Sequence, residues 1–167
     1  MDQGIGKSVR RKEDFRLLTG AGCYSDDADM AGQLYAYFLR STHAHADILS
    51  IDITEAKRNS GVQAVLIGQK YLDDGLSGTV HMANSADVVD PTQLSNINKD
   101  DSPTFMSANL PLAVGRVRHI GEAVAVVIAD SLEQAKDAAE LIEIDYASLP
   151  VVTTARAAAL DDAPEIW

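Results

Sequence analysis

Residues 122–146 read EAVAVVIADSLEQAKDAAELIEIDY. The first part is a continuous apolar run over 123–129, the pattern of a strand with neighbours on both edges. Ser131, followed by Gln134, has the spacing of a helix N-terminal capping box. Beyond it Leu132, Ala135, Ala139 and Ile142 recur at intervals of three, four and three, which places them on one helical face. Glu133, Lys136, Asp137 and Glu140 fall on the opposite face, toward water. Residues 142–146 then alternate, as a half-buried strand does. A strand, a helix and a second strand are therefore written into 25 residues, and the rest of the fold is read outward from them.

Upstream, residues 116–120 form another strand, separated from 122–129 by a turn at Gly121. Downstream, Leu149-Pro150 ends the last strand and residues 155–160 suit a short helix. Nearer the N-terminus, residues 33–39 read as a strand with apolar side chains on both alternating sets, which predicts burial on both faces. Residues 48–53 alternate more cleanly, with Ile51 and Ile53 opposite Asp52. Thr54 is placed to cap a helix over 55–59, Gly61 to end it, and residues 62–67 to form a strand. A helical turn from Gly68 to Leu72 follows. Residues 73–109 lack apolar periodicity and are punctuated by Asp87, Asp90-Pro91 and Pro103. We read them as one long acidic excursion, of the kind that is functional or packed on a partner. The fold class is α+β: mixed strands, two main helices and no internal repeat. The expected organisation is an arm over 1–30, a domain over 31–160 containing the excursion, and the start of a linker over 161–167.

The chain has 167 residues and a net charge of −11. Such a balance argues against nucleic-acid binding, which needs clustered Lys and Arg. One cysteine, Cys23, supplies neither an internal disulfide nor an iron–sulfur ligand set. The apolar run at 123–129 is far below the ~20 residues of a membrane span. The N-terminus lacks an apolar leader, so a cytoplasmic protein is expected. Charge is uneven. Lys7, Arg10, Arg11, Lys12 and Arg16 make residues 1–20 net +2, against −13 for the remainder. A basic arm on an acidic body suggests a segment that docks elsewhere, although a solvated terminal segment fits the charge equally well.

Candidate chemistry is sparse. Gly6-Lys7-Ser8 lacks the upstream strand and glycine of a phosphate loop, and Gly20-Ala-Gly22 meets Ser25 where a dinucleotide fingerprint needs glycine. Carboxylates at Asp26, Asp27 and Asp29 disfavour a Cys23 thiolate. On a strand, His43 and His45 would share a face with Asp47, a possible metal set of the kind a small hydrolase uses. The plainer alternative is a strand-edge turn with two hydrogen-bonded imidazoles. Glu122, at the start of a buried strand, is read as a carboxylate that accepts from turn amides.

Four segments taken in order carry a more specific signal. Val9-Arg-Arg-Lys-Glu-Asp-Phe-Arg-Leu-Leu-Thr-Gly-Ala-Gly22, followed by Tyr24 and Asp26-Asp27, opens the series. Arg40-Ser-Thr-His-Ala-His-Ala46 is second and Val117-Arg-His-Ile-Gly-Glu-Ala-Val-Ala-Val-Val127 third. Ala135 to Ala139 with Glu143-Ile-Asp-Tyr146 and Leu149-Pro150 is fourth. Together they resemble the opening of the large subunit of molybdenum hydroxylases, the xanthine dehydrogenase, aldehyde oxidase and aerobic carbon monoxide dehydrogenase family. Thr42 and Ala123 stand where that family usually has proline, a change in local rigidity. The excursion looks most like the carbon monoxide dehydrogenase branch.

The resemblance implies an α/β-hammerhead domain. For the assembled enzyme it implies oxidative hydroxylation of an aldehyde, an N-heteroaromatic compound or a CO-like substrate. A molybdenum–molybdopterin cofactor, in the cytosine dinucleotide form, would carry the reaction, with electrons leaving through 2Fe–2S clusters to FAD. The implied partners are the remainder of the large subunit, an iron–sulfur subunit and a flavin subunit. The family's cofactor-binding glycines and its catalytic glutamate belong to a later part of the large subunit. The resemblance therefore places no catalytic, cofactor-binding or metal residue on these positions. A free-standing interaction module of the same fold and a metal hydrolase using His43 and His45 are the alternatives.

Overall fold

The structure is a computed structural model. It describes residue 8 and residues 11–79, 100–102 and 109–167. Lys7, Arg10, Asp87, Asp90-Pro91 and Pro103, all singled out above, lie outside the described residues.

The chain divides into two compact units, Met1–Gln33 and Leu34–Trp167. The first holds a short helix, α1 (Asp14–Leu18), and a 3-10 turn, Ser25–Asp27. The Asp27 carboxylate closes that turn by accepting from the Tyr24 amide at 2.8 Å. Arg11 pairs with Asp14 at 3.0 Å, and Arg16 pairs with Glu13. Two of the arm's basic side chains thus each have a carboxylate three residues away. Phe15 and Leu18 are 79% and 86% exposed.

The larger unit contains two three-stranded sheets. The first has the order β1 (Tyr35–Arg40), β5 (Ala123–Ala129), β3 (Val62–Ile67), all antiparallel. The apolar run predicted to be a central strand is central. The register places Tyr37, Val127 and Val65 in one row, and Leu39, Ala125 and Ile67 in the next. These rows face α4 (Leu132–Glu140) and α2 (Thr54–Arg58), where Ala135, Ala138, Ala139 and Ala56 complete the larger core. Alanines on the helix let it approach the sheet closely, and they leave little room for a larger side chain. Ser131 caps α4 through its side chain, which accepts from the Gln134 amide at 3.2 Å. The Gln134 side chain itself lies against Gly61.

The second sheet has the order β4 (Arg116–Val117), β2 (Ala46–Asp52), β6 (Glu143–Ser148). A smaller core of Ala46, Ala113, Val117 and Val124 lies beneath it, and Leu39 and Ile144 pack against both cores. After β3 comes α3 (Gly68–Asp73), and the excursion opens and closes on an isolated bridge between Thr79 and Asn109. The chain's last helix is α5 (Ala155–Ala158).

Three expectations need correction. The strand read over 116–120 stops at Val117, because Glu122 and Gly121 turn the chain. Gly121 has φ of 79°, which suits glycine. The cap assigned to Thr54 is supplied by Asp52, whose carboxylate accepts from the Thr54 amide at 2.8 Å. Hydrogen bonds from Thr54 hold the Asp52 carboxyl below its ordinary value of 3.8. The third correction concerns β1, which is not buried on both faces: Phe38 and Arg40 alternate outward.

Candidate functional site

The residues with chemical potential gather at the turn between β1 and β2. Ser41 anchors it. The Ser41 amide donates to the Glu122 carbonyl at 2.8 Å, and the Gly121 amide donates to the Ser41 carbonyl at 2.9 Å. Ser41 Oγ accepts from the His43 amide and lies 3.0 Å from the His43 carbonyl. A serine hydroxyl that closes the turn on itself in this way satisfies local backbone groups without a helix or ladder.

His45 is 4% exposed. Its Nδ1 lies 2.7 Å from the Pro150 carbonyl. A carbonyl only accepts, so Nδ1 is the donor in this bond. The Leu149 amide donates to the His45 carbonyl at 2.9 Å, so the Leu149-Pro150 segment is held by this residue twice. The His43 ring lies over Tyr146, with centroids 4.6 Å apart. Burial raises the Tyr146 phenol above its ordinary value of 10.0, and a hydrogen bond with Ser41 acts in the opposite direction. His43 Nδ1 and His45 Nε2 are buried with no hydrogen-bond partner among the described residues.

The possible metal set does not converge. The histidines sit in a turn, before β2 begins at Ala46. In the β2–β6 register, Tyr146 lies opposite Ile48 while Asp47 lies opposite Ala147, so Asp47 points away from the face that His43 covers. Asp47 instead pairs with Arg116 at 2.7 Å. Of the two hydrogen-bonded imidazoles expected, His45 has its bond, and His43 is held by ring packing.

Glu122 does what the sequence suggested: its carboxylate accepts from the Arg118 amide at 2.5 Å. Arg118 has a role the sequence did not reveal. Its guanidinium donates to the Ile166 carbonyl at 3.2 Å and stands 4.6 Å from the Trp167 ring centroid. A contact across that separation has no local signal.

The residues present do not fit the implied cofactors. An iron–sulfur cluster needs several thiolates, and the chain has one, exposed at Cys23. Among the described residues, no three His, Cys, Asp or Glu side chains are grouped to hold a metal. Of the seven described arginines, which a phosphate-bearing pterin would need, six are engaged: Arg11, Arg16, Arg58 and Arg116 with carboxylates, Arg40 and Arg118 with carbonyls. No helix among the described residues is long and apolar enough to cross a membrane.

Comparison with known proteins agrees with the motif order. Residues 19–89 and 75–150 match the family described as "Aldehyde oxidase and xanthine dehydrogenase, a/b hammerhead domain". The chain is 37% identical over 148 residues to the 6-hydroxypseudooxynicotine dehydrogenase complex subunit gamma of Paenarthrobacter nicotinovorans, covering 89% of this chain and 17% of that one. It is 37% identical over 163 residues to the carbon monoxide dehydrogenase large chain of Afipia carboxidovorans, covering 97% and 17%. Among solved structures, quinoline 2-oxidoreductase from Pseudomonas putida 86 is similar with a TM-score of 0.76 and 38% identity, covering 97% and 18%. The chain thus spans about a sixth of the length of these relatives. Two sheets with helices on one face, the ordered motifs and the family match agree: this chain belongs to the a/b hammerhead domain family of aldehyde oxidases and xanthine dehydrogenases.

Proposed function

We propose that this chain is the hammerhead part of a molybdenum-hydroxylase large subunit and has no catalytic or cofactor-binding residue of its own. In this reading it supports assembly and shapes access to a site built elsewhere. The observation that carries it is the disagreement between family and site. The chain matches a complex subunit and a large chain of dehydrogenases, yet among the described residues no three His, Cys, Asp or Glu side chains are grouped to hold a metal, and Ser41, Glu122 and Asp47 are committed to turns and an ion pair. The molybdenum cofactor, when bound by the rest of the enzyme, would supply oxidative hydroxylation of an aldehyde, N-heteroaromatic or CO-like substrate. We infer the cytosine dinucleotide form, 2Fe–2S and FAD centres on partner parts, and a cytoplasmic location. What these residues contribute is rigidity: Ser41, Glu122 and His45 lock the turns where the two sheets meet.

The test is metal analysis combined with an electron-acceptor dye assay. The chain alone and the assembly retrieved through a tag on it would be compared. Molybdenum and substrate-dependent dye reduction are expected only in the assembly. Turnover by the isolated chain would overturn the proposal, and so would an assembly without molybdenum.

A further inference from the structure

A three-stranded sheet has two faces, and here α4 and α2 cover one, while among the described residues α3 borders the other through Tyr71. On the other, the register lines up Phe38, Val126 and Leu66 in one row across all three strands, with Ala36, Ile128 and Ala64 in the next. Phe38 and Leu66 are 44% and 42% exposed, and Val126 between them is 8% exposed, at the floor of the row. At the end of these rows a cleft of about 310 Å³ opens, lined also by Tyr71, Leu76 and Leu112. Its charged groups are Lys70 and Asp74, which pair with each other. The face is therefore apolar, with Phe38 and Leu66 standing on either side of the buried Val126, and nearly neutral on a chain of net charge −11. Scattered apolar side chains on a surface mean little, but a contiguous patch marks something that binds there.

The sequence pattern of β1 makes the same demand. Its residues are apolar on both alternating sets, as in strands covered on both sides, yet on one of those sides Phe38 is 44% exposed. Two facts choose the occupant. A second copy would bring together two bodies of charge −11, an arrangement that costs free energy on approach. The relatives, in contrast, carry more than four-fifths of their length beyond the matched part.

We infer that the row Phe38–Val126–Leu66, with the cleft at Tyr71, Leu76 and Leu112, is the docking surface for an uncharged apolar segment of large-subunit polypeptide from outside the hammerhead domain. The inference rests on the function proposed above.

Its test is site-specific photo-crosslinking in the source cells. A benzoylphenylalanine would replace Phe38 or Leu66 in a tagged chain, with Leu49, exposed on the other sheet, as the control position. Expected products from Phe38 and Leu66 join this chain to an apolar peptide whose sequence matches molybdenum-hydroxylase large chains past their hammerhead part. Products with a second copy, with residues 80–108 of the same chain, or with an iron–sulfur subunit would overturn the inference. So would the absence of any product while the tagged assembly is intact. If no large-chain polypeptide is retrieved by any tagged version, the function proposed above fails and takes this inference with it. A second measurement is co-purification of the Leu66→Asp variant. At least a tenfold loss of the retrieved large-chain polypeptide is expected, with Leu49→Asp unchanged and both variants folded by circular dichroism. Equal retrieval by the two variants would overturn the surface and leave the proposed function standing.

Discussion

At Glu122 one carboxylate decides where a strand ends. Its acceptance from the Arg118 amide stops β4 after two residues and turns the chain into β5. Hydrogen bonds to charged groups contribute about 1.5–3 kcal/mol, so Glu122→Ala is expected to lower stability by about 1–2 kcal/mol at this half-buried site. Glu122→Gln keeps an accepting oxygen and should recover more than half of that. Urea unfolding at pH 7 measures both, and equal losses would mean the hydrogen bond is not what holds the turn. Tyr146 offers a pH test. Its phenol ionises at a higher pH in the folded chain than the ordinary 10.0, so the unfolded chain loses its proton first. Stability from this group is therefore fully present below pH 10 and declines as pH rises through the folded value. Tyr146→Phe should show a shallower loss of stability between pH 9.5 and 11.5 than the native chain. Parallel curves would show that the phenol takes no part.

At the scale of elements, the best-read part was the stretch from 122 to 146, because its signals are local. An apolar run, a Ser cap and a 3.6-residue period name strand, boundary and helix with no tertiary information. Even there, the periodic face omitted Ala138, which is fully buried, since a single row at spacings of three and four takes only one of the adjacent pair Ala138 and Ala139. The turn function of Glu122 was legible for the same local reason. The covering of β1 was not, because its apolar residues state only that both faces suit burial and not what provides it. The face that His43, His45 and Asp47 would have shared depended on the strand starting at His43 and not at Ala46. Gly68 is a further case. It reads as a boundary, yet its reason is contact: a Cβ there would lie 2.6 Å from the Ala113 carbonyl oxygen and 2.8 Å from that of Leu112. Both obstacles are backbone, so β3 and α3 would have to move off the 112–113 segment. Gly68→Ala is expected to cost about 1–3 kcal/mol, in the range of overpacked cores. The measure is the urea midpoint, and an unchanged midpoint would show that the segment yields freely.

For the whole molecule, charge is the dominant unbalanced quantity. The chain carries −11, and among the described residues its ion pairs all have side chains at least a third exposed. Exposed pairs contribute about 0–1 kcal/mol each and lose part of that in salt. Like charges confined to a folded body repel one another over distances comparable with the Debye length, about 8 Å at physiological ionic strength and near 30 Å at 0.01 M. Salt therefore acts on two opposing quantities, weakening a few short attractions and many longer repulsions. With 25 acidic groups against 14 basic ones, the repulsions are in the majority, and the unfolded chain spreads the same charge over a larger volume. Raising sodium chloride from about 20 to 200 mM should thus raise the melting temperature, by a few degrees for a gain of about 1 kcal/mol in a chain of this size. Potassium chloride should act alike, which separates screening from specific sodium binding. A melting temperature that falls with salt would place the balance with the ion pairs. The strongest of them for that role is Arg116–Asp47, the pair that joins β4 to β2 at 2.7 Å, and Asp47→Asn would then have to abolish the salt dependence.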